Sequence, residues 1–156
     1  LPALREDSTW QNTLTLLSGS LILTPHFGEA VNLGEPFNID VASMTQEEAA
    51  KQLAVYYNAT VVFKGADTVV AQHDRSEVIT LATAVLSKAG TGDVLAGTIG
   101  GLLAQGMDPY DACILGVSVH AKAGLLAQEI YGMVSACAEE VLEQIPSAFM
   151  ALEHNN

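Results

Sequence analysis

Basic residues are scarce in this sequence: Lys and Arg number 6 against 18 Asp and Glu, a formal net charge of −12 over 156 residues. That balance leaves no basic stripe for a nucleic-acid backbone, and no nucleic-acid partner is expected. Charged residues make up only 15% while hydrophobic residues reach 49%, which excludes a disordered acidic chain. The acidity bears on solubility rather than on the choice of ligand. Cysteine is limited to Cys113 and Cys137, both in apolar, helix-like stretches, so buried reduced thiols are expected rather than a disulfide scaffold. No uninterrupted apolar run reaches the ~18 residues of a membrane span. No secretory pattern opens the sequence, and a cytoplasmic protein without a membrane partner is the expectation. Internal repeats, low-complexity tracts and linkers are missing as well.

What the sequence does have is alanine, glycine, valine and leucine in quantity, a mix suited to an α/β layer protein with closely packed helices. Its length fits one domain with a real core. Leu21-Ile22-Leu23, closed by Thr24-Pro25, reads as a short buried strand ending in a loop. "GEAVNLG" follows as a short helix with Gly34 at its C-terminal side. Thr45 with Glu48 three residues on forms a capping box that opens a helix. Three strands are expected at about 60–64, 68–72 and 77–81, joined by "KGAD" and "HDRS". Helix dominates from Gly92 onward. Asp108-Pro109 starts a long helix expected to close near Gly132. Ser135 is read as the cap of a last helix, "ACAEEVLEQI", stopped by Pro146. Two or three strands would leave a sheet with bare edges, and the sequence opens on "LPALREDSTW" without a preceding strand. The expectation is a single partial domain over 1–156.

Three stretches carry chemistry-bearing residues. Gly90-Thr91-Gly92-Asp93 stands where an apolar helix begins. Successive glycines let backbone N–H groups converge, and a helix N-terminus adds about half a positive charge, a combination that holds phosphate. A carboxylate there opposes an anion unless it acts as general base on a hydroxyl beside the phosphate. Asp93 is otherwise an ordinary first-turn acid, with the glycines serving tight packing. It is not a P-loop, since no Gly-Lys-Ser/Thr follows. Lys64-Gly65-Ala66-Asp67-Thr68 joins two strands and is either a phosphate-holding turn or a hairpin with an exposed lysine. His26, in "TPHFGE" after a strand end, is either a solvated loop histidine or a ligand contact at the carboxyl edge of the sheet. His73 and His120 read as structural, and His154 as part of a tail.

In their order, "LTPHFGE", "VVFKGADT" and "KAGTGDVLAGTIGGLLAQG" resemble the ADP/ATP-dependent NAD(P)H-hydrate dehydratases of the ribokinase-like superfamily. The likeness runs on through "HAKAGLLAQEIYGMVSA" and covers about 20–145. It implies the C-terminal portion of a three-layer α/β ribokinase-like fold. The implied activity is repair of (S)-NADH or (S)-NADPH hydrate at the expense of ADP or ATP. The nucleotide phosphorylates the added hydroxyl, and phosphate is then eliminated. Asp93 resembles the base and also a contact to the hydrated nicotinamide, and His26 another contact to that dinucleotide. Gly90, Thr91 and Gly92 resemble the anion hole, with Gly92 touching the nucleotide, and Lys64, Gly65, Ala66, Asp67 and Thr68 resemble the nucleotide-phosphate hairpin. Lys88 is an added nearby cation without a catalytic part. Mg²⁺ is the family's usual helper, although no metal-ligand cluster is visible, and a homo-oligomer, a tetramer in the family, is the implied assembly. Phe27 stands where the family usually has proline, which loosens that loop. The family's upstream half carries glycine-rich segments, and activity of the 156 residues alone is in question. Ribokinase-like vitamin kinases share the glycine–glycine–aspartate turn, and a non-catalytic nucleotide-binding remnant is the reading from a different class.

Overall fold

A computed structural model describes residues 21–81 and 83–153; the opening stretch 1–20 and His154 lie outside the described residues. The chain divides between Val78 and Ile79 into two compact units, each treated by itself below.

The first unit is built on a sheet in the order β1 (Ile22–Leu23), β2 (Thr60–Phe63), β3 (Thr68–Gln72) and β4 (Arg75–Ile79). β1 runs parallel to β2, with Ile22 opposite Thr60 and Leu23 opposite Val61. A parallel pair needs a long crossover, which here carries α1 (Phe27–Gly34) and α2 (Gln46–Tyr57). β2 and β3 pair antiparallel, Val62 facing Val70. Every residue of β2 is buried, as the run Thr-Val-Val-Phe requires of a strand covered on both faces. α2 packs on β2 and β3 through Ala49, Ala50, Leu53, Ala54 and Tyr57, one stripe at helical spacing. Its start is the capping box expected from Thr45 and Glu48. The Thr45 N–H and hydroxyl both donate to the Glu48 carboxylate and hold it below its ordinary range. Tyr57 Oη donates to the Leu33 carbonyl at 3.0 Å, and burial pushes this phenol up to about 12. The strand expected at 77–81 lies two residues earlier because the turn needs only His73 and Asp74, with His73 left-handed at φ 54.

In the second unit a short 3₁₀ turn, Ala84–Ser87, leads to α3 (Thr91–Ala104) and α4 (Pro109–Ser135). The Asp108 side chain accepts from the N–H groups of Tyr110 and Asp111, and Pro109 takes the first helical position, as expected. Val119, Ala123 and Ala127, four residues apart along α4, pack with Val85, Ala136, Val141 and Ala148 into one core. Two glycines of α4 permit close approach of their neighbours. A Cβ on Gly116 would come within 2.6 Å of Ile99, and one on Gly124 within 2.7 Å of Leu86. At Gly97, Gly100 and Gly101 it would meet nothing within 4 Å among the described residues. These three are exposed on α3 and have no packing neighbour among the described residues.

The end of the chain also departs from expectation. α4 breaks at Gly132 (φ 80, ψ 155), where its close is expected, but a short helical stretch continues past the kink to Ser135, so Ser135 ends a helix rather than capping one. Cys137 caps α5 (Ala138–Glu143), and Pro146 stands in the first turn of α6 (Ile145–Glu153). A proline lacks an N–H that the first turn does not use, so it starts this helix instead of stopping the preceding one. Cys113 is buried as expected. Cys137 is exposed, because a capping residue between two helices is not on a packed face. Among the described residues no helix is long and apolar enough to cross a membrane.

Candidate functional site

The second unit presents the glycine turn at the N-terminus of α3, which is 14 residues long. Gly90 is the N-cap at φ 87, ψ −19, a left-handed conformation that an L side chain resists. Its carbonyl accepts from the N–H groups of Asp93 (3.1 Å) and Val94 (3.2 Å). The Gly90 and Gly92 N–H groups donate to no protein acceptor among the described residues. They are therefore open donors at the positive end of a helix dipole. The Asp93 side chain is exposed in the same turn.

Thr91 plays a different part from its two neighbours. It is 2% exposed, and its hydroxyl donates backward to the carbonyls of Leu86 (2.7 Å) and Lys88 (2.8 Å). Its N–H is directed to the Lys88 carbonyl at 3.4 Å. Buried His120, on α4, places Nε2 2.8 Å from the Thr91 carbonyl and donates to it. Thr91 thus anchors the turn from beneath, while the two glycine N–H groups have no protein acceptor among the described residues. The structural part expected of His120 is played against the turn itself. The lysine next to the turn is also turned away from it: Lys88 Nζ donates to the carbonyls of Met133, Val134 and Ala136.

The first unit gathers His26 and the Lys64–Thr68 loop. His26 is not a free loop histidine; it is the N-cap of α1. Its Nδ1 accepts from the Glu29 N–H at 3.3 Å, and its own N–H donates to Glu29 Oε2 at 2.8 Å. That carboxylate lies 3.6 Å from His26 Nε2 and 3.9 Å from Lys64 Nζ. Lys64 N–H donates to the Pro25 carbonyl at 2.8 Å, which ties the end of β2 to the loop after β1. The histidine ring remains exposed, with Nε2 toward solvent and Glu29. Phe27 is the first residue of α1 and more than half exposed; the capping box holds this segment without a proline.

The Lys64–Thr68 loop is shaped by Gln46, a residue outside the three motifs. Gln46 Nε2 donates to the carbonyls of Phe63 (2.7 Å) and Asp67 (3.0 Å). The chain passes so close here that a Cβ on Gly65 would lie 2.8 Å from the Asp67 carbonyl oxygen and 2.9 Å from Gln46 Oε1. Ala66 and Asp67 are exposed at the loop's tip, and Thr68 opens β3 half-buried. Glu29 and Gln46 both lay beside motifs without being assigned a part. Glu29 had a signal, since His26 and Glu29 have the spacing of Thr45 and Glu48.

No group of three or more His, Cys, Asp or Glu side chains that could hold a metal ion occurs among the described residues.

Comparison with known proteins adds four matches. A family model described as NAD(P)H-hydrate dehydratase matches residues 4–147. The ADP-dependent (S)-NAD(P)H-hydrate dehydratase of Neisseria meningitidis serogroup B is 37% identical over 138 residues, 85% of this chain and 46% of that protein. The crystal structure of the ADP/ATP-dependent NAD(P)H-hydrate dehydratase of Bacillus subtilis, co-crystallised with ATP/Mg²⁺, superposes with a TM-score of 0.73 at 29% identity. It covers 83% of this chain and 47% of that one. A ribokinase-like superfamily protein from Enterococcus faecalis V583 reaches a TM-score of 0.71 at 20% identity over 90% of this chain and 50% of its own, a likeness of fold alone. The mixed α/β architecture is thus that of a ribokinase-like fold. The chain spans less than half the length of the curated relatives that match it first.

Proposed function

The chain belongs to the NAD(P)H-hydrate dehydratase family, and from that premise we propose that it serves ADP-dependent repair of (S)-NADH and (S)-NADPH hydrate. The observation that carries the reading is the α3 N-terminus, where open Gly90 and Gly92 N–H groups stand beside the exposed Asp93 carboxylate. Backbone donors fixed in place suit a phosphoryl group whose charge shifts during transfer. A carboxylate one residue on suits removal of a proton from the attacking hydroxyl.

In the proposed sequence Asp93 takes the proton of the hydroxyl on the hydrated nicotinamide ring. That oxygen attacks the terminal phosphorus of ADP, the bond to the bridging oxygen breaks, and AMP leaves. The phosphate ester then loses inorganic phosphate and a ring proton, which restores the dihydronicotinamide. Gly90 and Gly92 hold the transferred group, while Thr91 supports the turn. Lys64, Gly65, Ala66, Asp67 and Thr68 are assigned to the nucleotide phosphates, and His26 to the hydrated dinucleotide. When bound on the nucleotide, Mg²⁺ would neutralise phosphate charge. The reading includes a homo-oligomer acting in the cytoplasm.

The test is incubation with NADH hydrate and ADP, following recovery of reduced-nicotinamide absorbance, for the chain and for a form extended upstream on the pattern of a full-length family member. Recovery that requires ADP supports the proposal, and Asp93→Asn should abolish it while leaving ADP binding intact. ADP binding without recovery in either form would reduce the chain to a nucleotide-binding module. ATP-dependent phosphorylation of a vitamin alcohol would make it a kinase.

A further inference from the structure

Lys88 sits two residues before Gly90, yet its ammonium serves a place 45 to 48 residues further along the chain. Nζ donates to the carbonyls of Met133 at 2.7 Å, Val134 at 2.8 Å, and Ala136. An ammonium has three donors, and three carbonyls meet them here. These carbonyls lie just past the Gly132 interruption of α4, where a helix end leaves main-chain oxygens without intrahelical partners. The backbone of the same lysine points the other way. Its carbonyl accepts from the Thr91 hydroxyl at 2.8 Å and from the Thr91 N–H at 3.4 Å. Lys88 is therefore bonded through its side chain to the α4–α5 junction and through its main chain to the first residue of α3. The junction meets the turn a second time, since a Cβ on Gly90 would stand 3.0 Å from the Ala138 methyl carbon. The junction is itself held by Cys137, whose N–H and Sγ both point to the Glu140 carboxylate, at 2.8 and 2.7 Å.

We propose that Lys88 is a positioning residue: held by three main-chain carbonyls, it ties the α4–α5 junction to the Gly90–Asp93 turn and fixes where the Gly92 N–H and the Asp93 carboxylate stand. This inference rests on the phosphoryl-transfer reading for its catalytic consequence. It differs from the use expected of a lysine beside a phosphate-binding turn, which is direct contact with the anion. Lys88 has its three donors occupied by carbonyls, so it acts on the turn through the position it imposes rather than by donating to a bound anion.

The experiment compares Lys88→Met, which keeps the stem and removes the charge and donors, with Lys88→Arg, which keeps both in a different shape. Three quantities are measured: amide hydrogen exchange at 91–94, ADP affinity by calorimetry, and kcat with KM for ADP in the recovery of NADH from its hydrate. In Lys88→Met, exchange at Thr91, Asp93 and Val94 should accelerate about tenfold or more, as expected of a segment that has lost its tether. The kcat should fall about tenfold to a hundredfold while ADP affinity stays within about twofold, the pattern of a misplaced catalytic group. Lys88→Arg should recover part of the exchange protection and of kcat. Unchanged exchange at the turn in folded Lys88→Met overturns the proposal, even when its Tm falls. A loss of ADP affinity with kcat intact also overturns it and makes Lys88 a phosphate-binding cation. Should Lys88→Met fail to fold, Lys88→Gln, which keeps N–H donors without the charge, goes through the same comparison. If the unsubstituted protein recovers no NADH, the dehydratase reading fails, and exchange at the turn still decides for or against the tether.

Discussion

Gly90→Ala perturbs the glycine turn in two ways that can be measured apart. At φ 87 and ψ −19 the native backbone is left-handed, and an L side chain there costs about 1–2 kcal/mol. The new methyl also arrives 3.0 Å from the Ala138 Cβ, closer than the ~3.5–4.0 Å at which carbon atoms sit comfortably. The neighbour is the first residue of α5, so relief requires a small shift of that short helix. The sum should be a loss of about 2–3 kcal/mol in unfolding free energy, within the range of strain and overpacking combined. Denaturant unfolding of wild type, Gly90→Ala, Ala138→Gly and the double variant separates the parts. Ala138→Gly should return about 0.5–1 kcal/mol of the loss as coupling energy, and the remainder is backbone strain. ADP affinity measured on the same four proteins reports whether the open Gly92 N–H moves with the strain. Gly90→Ala within about 0.5 kcal/mol of wild type would refute the reasoning, because the turn would then relax without cost into an ordinary L conformation.

Further outcomes follow from other contacts. In the native protein one thiol per chain should react rapidly, exposed Cys137, while Cys113 reacts only on unfolding, its thiol pushed up to about 12 by burial and then by the nearby Asp108 charge; two fast thiols would contradict the packing of α4. Cys113 and Tyr57 both keep their protons in the folded state above the ordinary values of 9.0 and 10.0. The unfolded chain loses those protons first, so stability is full below about pH 9 and falls as pH rises toward 12, by up to about 1.4 kcal/mol per pH unit for each group. A urea midpoint that stays level across that window would count against both burials. Gln46→Ala leaves the Phe63 and Asp67 carbonyls without their donor and should cost about 1–2 kcal/mol, with faster amide exchange confined to the 64–67 loop; protection unchanged there would remove Gln46 from its part. With a net charge of −12, attraction of an anionic nucleotide must come from local donors, so raising salt from about 0.02 to 0.2 M should leave ADP affinity level or improved as repulsion is screened. A steep loss of affinity with salt would point to a cationic surface instead.

The features legible in the sequence were those whose partners lie within one turn of chain. Thr45 with Glu48, Asp108 before Pro109, and the glycine start of α3 are local hydrogen-bond arrangements, and each is found where the spacing put it. His26 with Glu29 has the same spacing and forms the same box, so its role as a cap was also readable; histidine is simply a less familiar capping side chain. What was not legible depends on distant partners. Proline in a first turn and proline after a last turn look alike in sequence. Pro146 is decided by Ala148 and its neighbours, which bury a further helix against α4. The glycines show the same limit. Gly97 and Gly100 sit in an apolar helix and invite a packing argument, yet among the described residues it is Gly116 and Gly124 that meet neighbouring side chains, because Ile99 and Leu86 face them. Lys88 is the clearest case. Nothing within several residues distinguishes it from a cation aimed at a ligand, and its three acceptors appear only once α4 has ended beside it. The motif locates the donors and the carboxylate of the turn. The residues that hold them in place, Thr91 from beneath, His120 from α4 and Lys88 through the α4–α5 junction, come from packing within the second unit.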